Sequence, residues 1–341
     1  MSQNVAKTII ATAPTRIDLA GGTLDLPPLH LFHPGAVTVN VALDLPATCE
    51  IRPRADTTVI LESLDIGRRE VYASRADVRF DTPLQLLARM VAFFAPTHGV
   101  EVVTACAAPP GSGLGGSSAL VIALAGALNH LTAAGYGPEQ LLALAPAVET
   151  QVIRVPAGVQ DYYPAVYGGI SAIHLEVGGV RHESLVSDWL PWLDARVVVC
   201  HTGQAHFSGT NNWEVFKRHI DGDTATQAAL ARIRDLAQAM HAAVLDRDLP
   251  RVAECLRQEW EHRRQLAEGV STPMIERLMD VARGAGALAG KVCGAGGGGC
   301  VVFVVADGQK ANVSAALSAA GGQVLDARLT TRGLSVTEVA D

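Results

Sequence analysis

The sequence is poor in charged side chains and has no surplus of basic ones. Charged residues make up 18% of its 341 residues, and the formal net charge is -7. This acidic balance argues against a nucleic acid or an anionic membrane as the partner. The high hydrophobic content, 49%, favours a packed globular protein over a disordered one. An anionic ligand would therefore have to be held by a local device.

Paired cysteine motifs and long apolar runs are also missing. None of the six cysteines forms a C-x-x-C pair or stands at a zinc-finger spacing from a histidine, so we expect free thiols in a reducing compartment. The N-terminal segment lacks the apolar region and cleavage site of a signal peptide. The longest run of apolar residues and glycine, Ala119–Leu128, is too short to span a bilayer. These absences predict a soluble, cytoplasmic protein with no membrane partner.

The length of the chain fits two domains better than one core. Polar turns around Gly178 and the proline at Pro191 suggest a boundary between residues 1–190 and residues 191–341. In the second half, a strand, several helices, a strand, a helix and two strands follow one another, which is typical of an α+β sandwich. Apolar spacing predicts helices at Leu84–Phe94, Ser118–Ala134, Pro138–Val152, Asn211–His219, Thr224–Leu245, Pro250–Ala267, Pro273–Gly284 and Lys310–Ala320.

A glycine-rich loop, Pro109–Ser117, lies between a predicted strand and a predicted helix. Glycines without side chains let a phosphate approach the backbone, and successive N–H groups can form an anion nest. The start of the following helix adds unpaired N–H groups and a positive dipole end. The loop therefore predicts a nucleotide phosphate site, with these residues in contact: Pro110, Gly111, Ser112, Gly113, Leu114, Gly115, Gly116, Ser117 and Ser118.

A simple helix cap and a dinucleotide-binding loop are the two other interpretations of this segment. A plain helix cap needs neither four glycines nor two serines. The segment also matches G-x-G-x-x-G, but a dinucleotide site requires an acidic residue about twenty positions further on, where Asn129 and His130 stand. The Walker pattern is absent, because no G-K-[ST] follows the glycines.

Three separated segments resemble the motifs of the GHMP kinases, in the same order. They are APTRIDLAGGTLDL (Ala13–Leu26), PPGSGLGGSSA (Pro109–Ala119) and KVCGAGGGGCVVFVV (Lys291–Val305). The first motif and the doubled glycine before the two serines look most like the sugar-kinase branch that contains the heptose 7-phosphate kinases and resembles galactokinase. The resemblance covers nearly the whole chain and is more specific for the superfamily than for the substrate.

The resemblance implies an α+β protein with the two-domain GHMP kinase fold. Its N-terminal α/β domain would resemble domain 2 of ribosomal protein S5, and its C-terminal α+β domain would be ferredoxin-like. The active site would lie in the cleft between them, and ATP and Mg²⁺ would be the cofactors.

The resemblance also implies roles for single residues. Asp161, in PAGVQDYYPAVYGG, matches the catalytic aspartate, and Arg16 matches a basic residue that would pair with it. Asp25 matches a sugar-binding aspartate, although the order T-L-D departs from the commoner T-D. Ser118 would hold the metal together with Glu149, or with Gln151 if the alignment shifts by two positions. Further substrate contacts would come from Gly22, Thr23, Gly296, Gly297 and His206.

We therefore expect a GHMP-type kinase that transfers the γ-phosphate of ATP to a hydroxyl of a sugar or sugar phosphate, at the anomeric carbon. The alternatives are a kinase of mevalonate, homoserine or another small alcohol, a non-catalytic ligand sensor on the same fold, and a dinucleotide-dependent oxidoreductase. The partner is then a small molecule. A homodimer is left open.

Overall fold

The computed structural model describes residues 7–185, 187–204 and 208–340, which form twelve strands and ten α-helices. The strands are β1 (Thr8–Ala20), β2 (Val37–Pro53), β3 (Val59–Ser63), β4 (Arg68–Tyr72), β5 (Val100–Cys106), β6 (Ile170–Glu176), β7 (Gly179–Leu185), β8 (Val197–His201), β9 (Ala287–Val292), β10 (Cys300–Val305), β11 (Gln323–Val324) and β12 (Ser335–Val339). The helices are α1 (Gln85–Phe94), α2 (Gly116–Thr132), α3 (Pro138–Ile153), α4 (Tyr162–Tyr167), α5 (Leu190–Asp194), α6 (Ser208–Ile220), α7 (Thr224–Leu245), α8 (Leu249–Arg263), α9 (Pro273–Gly284) and α10 (Lys310–Ala319).

The strands form one sheet of eight and one sheet of four. The larger sheet has the order β12-β1-β2-β5-β3-β4, and β6 and β7 branch from β2. The branch arises because β2 is 17 residues long: its C-terminal part pairs with β5 and its N-terminal part with β6. The smaller sheet has the order β11-β8-β10-β9, and all its pairs are antiparallel. This is the predicted α+β architecture.

The two halves of the chain share their cores. Valines of β2 pack in one cluster with apolar residues of α7, α8 and the smaller sheet, among them Ala237, Val252 and Val302. A second cluster buries nearly the whole length of α2 between the larger sheet and α1 and α3. The strand β12 returns from the end of the chain to pair with β1. The division at residue 190 stays a prediction, and this strand links residues 335–339 to the sheet of the first half.

Most helices lie where the apolar spacing placed them, and α7 and α9 have the predicted bounds. The composition of segment 155–169, rich in Gly, Pro and Tyr, predicts a loop, but the segment contains the short helix α4, which is six residues long and too short for a periodic signal. The apolar runs Ala36–Leu43 and Ala47–Arg52 predict two separate strands, but the structure has one continuous strand there. The proline between them, Pro46, is tolerated next to a shift in the β1–β2 register.

No helix among the described residues reaches the length and apolarity that crossing a bilayer requires.

A buried group of four charges fastens the halves together. The Nζ atom of Lys291 on β9 lies 2.5 Å from Oδ2 of Asp18 on β1 and 3.5 Å from Oε1 of Glu259 on α8. Arg263 lies 2.6 Å from the same Glu259 oxygen and 4.0 Å from Asp18. Burial would raise the pKa of Asp18, but Lys291 and Arg263 outweigh it and hold that pKa below its ordinary value. Two acids and two bases therefore form a network that is balanced in charge and excluded from water.

Lys291→Met tests this network. We expect the free energy of unfolding to fall by about 3–5 kcal/mol, because the substitution leaves Asp18 buried without its main partner. Lys7→Met is the control: it removes the lysine of an exposed pair with Glu338 that also joins distant parts of the chain. The control should leave the free energy of unfolding in urea unchanged. Equal losses in both variants would contradict the assigned role of the buried network.

Candidate active site

The glycine-rich loop forms a concave backbone surface at the start of α2. Gly113 and Gly115 have φ angles of +74° and +73°, which glycine adopts without strain. A Cβ atom at Gly115 would lie 3.3 Å from a carboxylate oxygen of Asp161, so the loop and this side chain are direct neighbours. The loop lines a cavity of about 470 Å³. The helix dipole and the N–H groups at this end of α2 favour an anion there.

The second glycine run, Gly294–Gly299, packs against the backbone of the phosphate loop. A Cβ atom at Gly299 would lie 2.6 Å from the carbonyl oxygen of Ser112, and one at Gly113 would lie 2.4 Å from that of Cys293. The N–H group of Cys300 donates to the carbonyl oxygen of Ser112 at 2.7 Å. Five glycines among the six residues Gly294–Gly299 predict a close backbone approach, and the structure shows that this approach is made to the phosphate loop.

Arg16 connects β1, the phosphate loop and the predicted catalytic aspartate. Its Nε and Nη2 atoms lie 2.8 and 2.7 Å from Oδ1 of Asp161. Its Nη1 atom donates to the carbonyl oxygen of Gly113, and its backbone N–H donates to Leu114. Burial lowers the pKa of Arg16, but the charges of Asp161 and Asp18 outweigh it and raise that pKa, so the guanidinium stays charged. The Asp161 side chain, 22% exposed, faces the cavity with a fixed orientation.

Ser118 and Glu149 meet at the other side of the loop. The hydroxyl of Ser118 donates to Oε2 of Glu149 at 2.9 Å, and the hydroxyl of Tyr162 donates to the same oxygen at 2.5 Å. Burial raises the pKa of Glu149, and the hydrogen bonds only partly offset it. Gln151 points elsewhere, because it accepts from Arg89 at 2.9 Å and is exposed. The geometry therefore favours Glu149 over Gln151 at the predicted metal position.

The far end of the cavity is lined by Thr23, Asp25, Gln160 and Arg263. Thr23 has a φ angle of +79°, a conformation that is strained for a β-branched residue and is found mainly where function demands it. Arg263 donates to the hydroxyl of Thr23 at 3.1 Å and so holds the turn. Oδ2 of Asp25 accepts from the backbone N–H of Gln160 at 3.0 Å.

Asp25 differs from the buried acids Asp18 and Glu259 because no cation among the described residues lies within ion-pair distance of it. Burial, together with the charges of Asp161 and Asp18 and against the hydrogen bond from Gln160, raises the pKa of Asp25 to about 6. The Oε1 atom of Gln160 is buried and has no hydrogen-bond partner within the described ranges. Both Asp25 and Gln160 line the cavity.

The cavity wall includes most of the predicted site residues. Leu114 and Gly22 are not on the wall. Leu114 packs into the core, and the carbonyl oxygen of Gly22 accepts a hydrogen bond from Arg263 at 2.8 Å. Gly296 and Gly297 lie against Val270, while the adjacent Gly294 and Ala295 line the cavity. The predicted residues on the wall are Arg16, Thr23, Asp25, Pro110, Gly111, Ser112, Gly113, Gly115, Gly116, Ser117, Ser118, Glu149 and Asp161. His206 lies outside the described residues.

Several wall residues were not found from the sequence. Arg263 lies in an ordinary amphipathic helix, and only its burial distinguishes it from the other arginines there. Trp213 and Phe216 of α6 stack at 5.4 Å between ring centroids and face the cavity, and Trp213 is 45% exposed. Asp65 and Ile66, which follow β3, also line the cavity. The available signal was weak, since none of these residues stands in a glycine-rich motif.

An anion cradle, an oriented carboxylate and a serine–glutamate pair in one cavity define a phosphotransferase site. Comparisons with known proteins agree with this class. Residues 84–169 match the model of the GHMP kinases N-terminal domain, and residues 239–323 match that of the GHMP kinases C-terminal domain. The chain therefore belongs to the GHMP kinase family.

Relatives in this family span the chain from end to end. A D-glycero-alpha-D-manno-heptose 7-phosphate kinase of Campylobacter jejuni is 29% identical over an alignment of 336 residues that covers 96% of this chain and 98% of the relative. A mevalonate kinase of Thermococcus onnurineus is 25% identical and covers 97% of this chain and 99% of its own. A crystal structure of a D-glycero-D-manno-heptose 1-phosphate kinase from Bacteroides thetaiotaomicron has a TM-score of 0.79 at 24% identity, covering 98% of this chain and all of the other.

The raised pKa of Asp25 predicts a pH-dependent penalty on stability. The unfolded chain loses this proton near its ordinary pKa of 3.8 and the folded chain near 6. Between these values the folded state binds more protons, so stability falls as the pH rises. Asp25→Asn removes this penalty, so at pH 8 the free energy of unfolding of the variant should exceed that of the wild type by on the order of 3 kcal/mol.

Urea unfolding of both proteins at pH 4, 6 and 8 would measure this difference, which should shrink toward pH 4. Asp246→Asn, at the exposed end of α7, is the control and should show no trend with pH. A stability difference that stays constant from pH 4 to 8 would count against the assigned environment of Asp25.

Proposed function

We propose that this GHMP kinase transfers the γ-phosphate of ATP to a hydroxyl of a sugar phosphate of the heptose phosphate class. The observation that carries the proposal is the position of Asp161: it lies next to Gly115 of the phosphate cradle and is oriented by Arg16. A carboxylate held in this way can orient an acceptor hydroxyl in line with a phosphate bound in the cradle.

The proposed reaction needs few groups from the protein. Asp161 accepts the proton of the acceptor hydroxyl. The oxygen of that hydroxyl bonds to the γ-phosphorus while the bond between the γ-phosphorus and the β-phosphate oxygen breaks, which releases ADP. Arg16 keeps the carboxylate in place and adds positive charge beside the transferred group. The N–H groups of the loop, from Gly111 to Ser118, hold the remaining phosphates.

Ser118 and Glu149 fit a magnesium ion. Both side chains offer oxygen, the ligand atom that this cation prefers. A cation nearby would also stabilise the ionised form of the buried Glu149, whose pKa is raised by burial. Bound there, the ion would neutralise charge on the nucleotide phosphates.

The acceptor end favours a sugar over a small aliphatic alcohol. The carboxylate of Asp25, on the cavity wall, can accept hydrogen bonds from vicinal hydroxyls. The exposed face of Trp213 offers a flat apolar surface for the C–H groups of a ring. The heptose 7-phosphate kinase and the heptose 1-phosphate kinase described above support the same substrate class.

An acceptor panel tests this function. Purified protein is assayed for ADP release with ATP and Mg²⁺ in the presence of heptose 7-phosphate, heptose 1-phosphate, galactose, fucose or mevalonate. We expect kcat/KM to be highest for a heptose phosphate. A preference for mevalonate would support the second candidate in its place, and ATP binding without transfer to any acceptor would support a ligand sensor.

Asp161→Asn tests the assigned base. The amide keeps the shape of the side chain but cannot take up the proton, so kcat should fall roughly 100- to 10,000-fold while the affinity for ATP stays within about threefold. Asp65→Asn is the control, because Asp65 lines the same cavity but its carboxylate accepts from the backbone N–H of Cys106, and the kcat of this variant should match that of the wild type. Turnover and calorimetric titration with a non-hydrolysable ATP analogue measure the two quantities. An Asp161→Asn enzyme with wild-type kcat would rule out this mechanism.

Glu149→Gln tests the metal position. We expect the Mg²⁺ concentration that gives half-maximal activity to rise at least ~10-fold, because a neutral amide is a weaker ligand than a carboxylate. Gln151→Ala, two positions along the same helix, is the matched control and should leave that concentration unchanged. The dependence of the initial rate on Mg²⁺ at saturating substrates distinguishes them, and a larger effect of the control would move the assignment to Gln151.

A further inference from the structure

Three side chains from three elements meet away from the kinase cavity. His174 lies on β6, Glu183 on β7 and His241 on α7. The Nε2 atom of His174 lies 2.8 Å from Oε2 of Glu183, and the Nε2 atom of His241 lies 3.2 Å from the same oxygen. The side chains are 18%, 34% and 21% exposed, so the cluster is partly shielded from water. None of them lines the cavity described above.

The spacing of the potential ligand atoms is that of a metal centre. All three atoms lie within 4.8 Å of one another, and ligands around a tetrahedral zinc ion stand about 3.3–3.5 Å apart. The imidazole rings of His174 and His241 meet edge to face with 5.3 Å between their centroids, and the Nε2 atoms of both rings approach the same oxygen of Glu183. The Nε2 atom of His241 is inaccessible to water and lacks a well-aligned hydrogen bond within the described part of the chain.

We infer that His174, Glu183 and His241 form a second metal site, which takes Zn²⁺ or a similar borderline transition-metal ion with water as the fourth ligand. Two imidazoles and one carboxylate are a donor set that zinc accepts with one open position. Magnesium is a poor match, because it demands near-octahedral oxygen ligands. The ligand chemistry therefore separates this site from the oxygen pair Ser118 and Glu149.

Hydrogen bonding alone accounts for the cluster less well. One carboxylate oxygen serves both imidazoles, yet only the bond from His174 is well formed. Arg181 approaches that oxygen to only 3.9 Å, and its shorter contact, 3.2 Å, is to Glu176. A cation between the rings would give each Nε2 atom a lone-pair acceptor and would balance the charge of Glu183.

The position of the cluster suggests what the ion would do. The hairpin of β6 and β7 belongs to the larger sheet, whereas α7 comes from the second half of the chain. An ion held by all three ligands would fasten α7 to this hairpin and would stabilise the folded state by mass action. We expect a structural effect and no change in kcat, because the ligands do not reach the cavity.

Zinc titration of metal-free, full-length protein tests the site. Competition with a chromophoric zinc chelator should show one ion per chain, and 100-fold excess Mg²⁺ should not displace it. His241→Asn and Glu183→Gln should each weaken zinc binding at least ~10-fold, since even the loss of an outer-shell partner costs that much. His98→Ala, at an exposed histidine outside the cluster, is the control and should bind as the wild type does. Zinc should also raise the melting temperature of the wild type and the control, but not of the two variants.

Cobalt substitution supplies a readout that needs no variant. Co²⁺ bound to the unmodified protein should show the intense visible bands of a four-coordinate ion, without the near-ultraviolet band of sulfur ligation. A sulfur band would place the ion on a cysteine, with Cys106 the most accessible, and would overturn the proposal. Binding that is undiminished in both cluster variants would overturn it as well, and so would the absence of any zinc binding. Unchanged kcat in the variants, measured with the best acceptor, separates failure of this site from failure of the proposed kinase function.

Discussion

The site depends on the side chain of Arg16. One guanidinium, buried at the end of a long strand, holds the carboxylate of Asp161 and the carbonyl oxygen of Gly113 at once. Its own backbone N–H is tied to the next residue of the phosphate loop, Leu114. The distance between the carboxylate and the cradle is therefore set by a rigid, planar fork with little rotational freedom. Positioning of this kind is the main contribution that a phosphoryl-transfer enzyme can make.

Two aspartates of the first motif show how neighbouring positions acquire opposite properties. Asp18 and Asp25 are both buried, but Asp18 has Lys291 and Arg263 beside it and a lowered pKa, whereas Asp25 has a raised one. The paired acid joins strand to strand across the two halves. Asp25 is a buried carboxylate on a cavity wall without a paired cation, which is an unfavourable arrangement in the absence of a ligand. One motif thus contains a residue that stabilises the fold and a residue that is available for recognition.

Motifs that act through the backbone could be predicted from the sequence. The phosphate loop, its helix and the closeness of the second glycine run follow from where side chains are missing, and Asp161 and Arg16 followed from a family resemblance. Arg263 and Trp213 could not be found in this way, because their roles come from tertiary contacts of ordinary helices. Gly296 and Gly297, predicted as substrate contacts, lie against Val270 for the same reason. A glycine run indicates that another group approaches the backbone closely, but it does not indicate which group. The helix α4 was missed because six residues carry too little periodicity.

The pairing of β12 with β1 has a consequence for how the protein is made. The strand β1 pairs with β2 on one side, and its other neighbour, Ser335–Val339, is synthesised later than the other described strands of the larger sheet. Until then the free side of β1 presents unpaired N–H and C=O groups, which is the kind of edge that recruits strands from other chains. Folding of the first half during translation therefore leaves this edge exposed until β12 pairs with it, so the nascent chain is prone to aggregation up to that point.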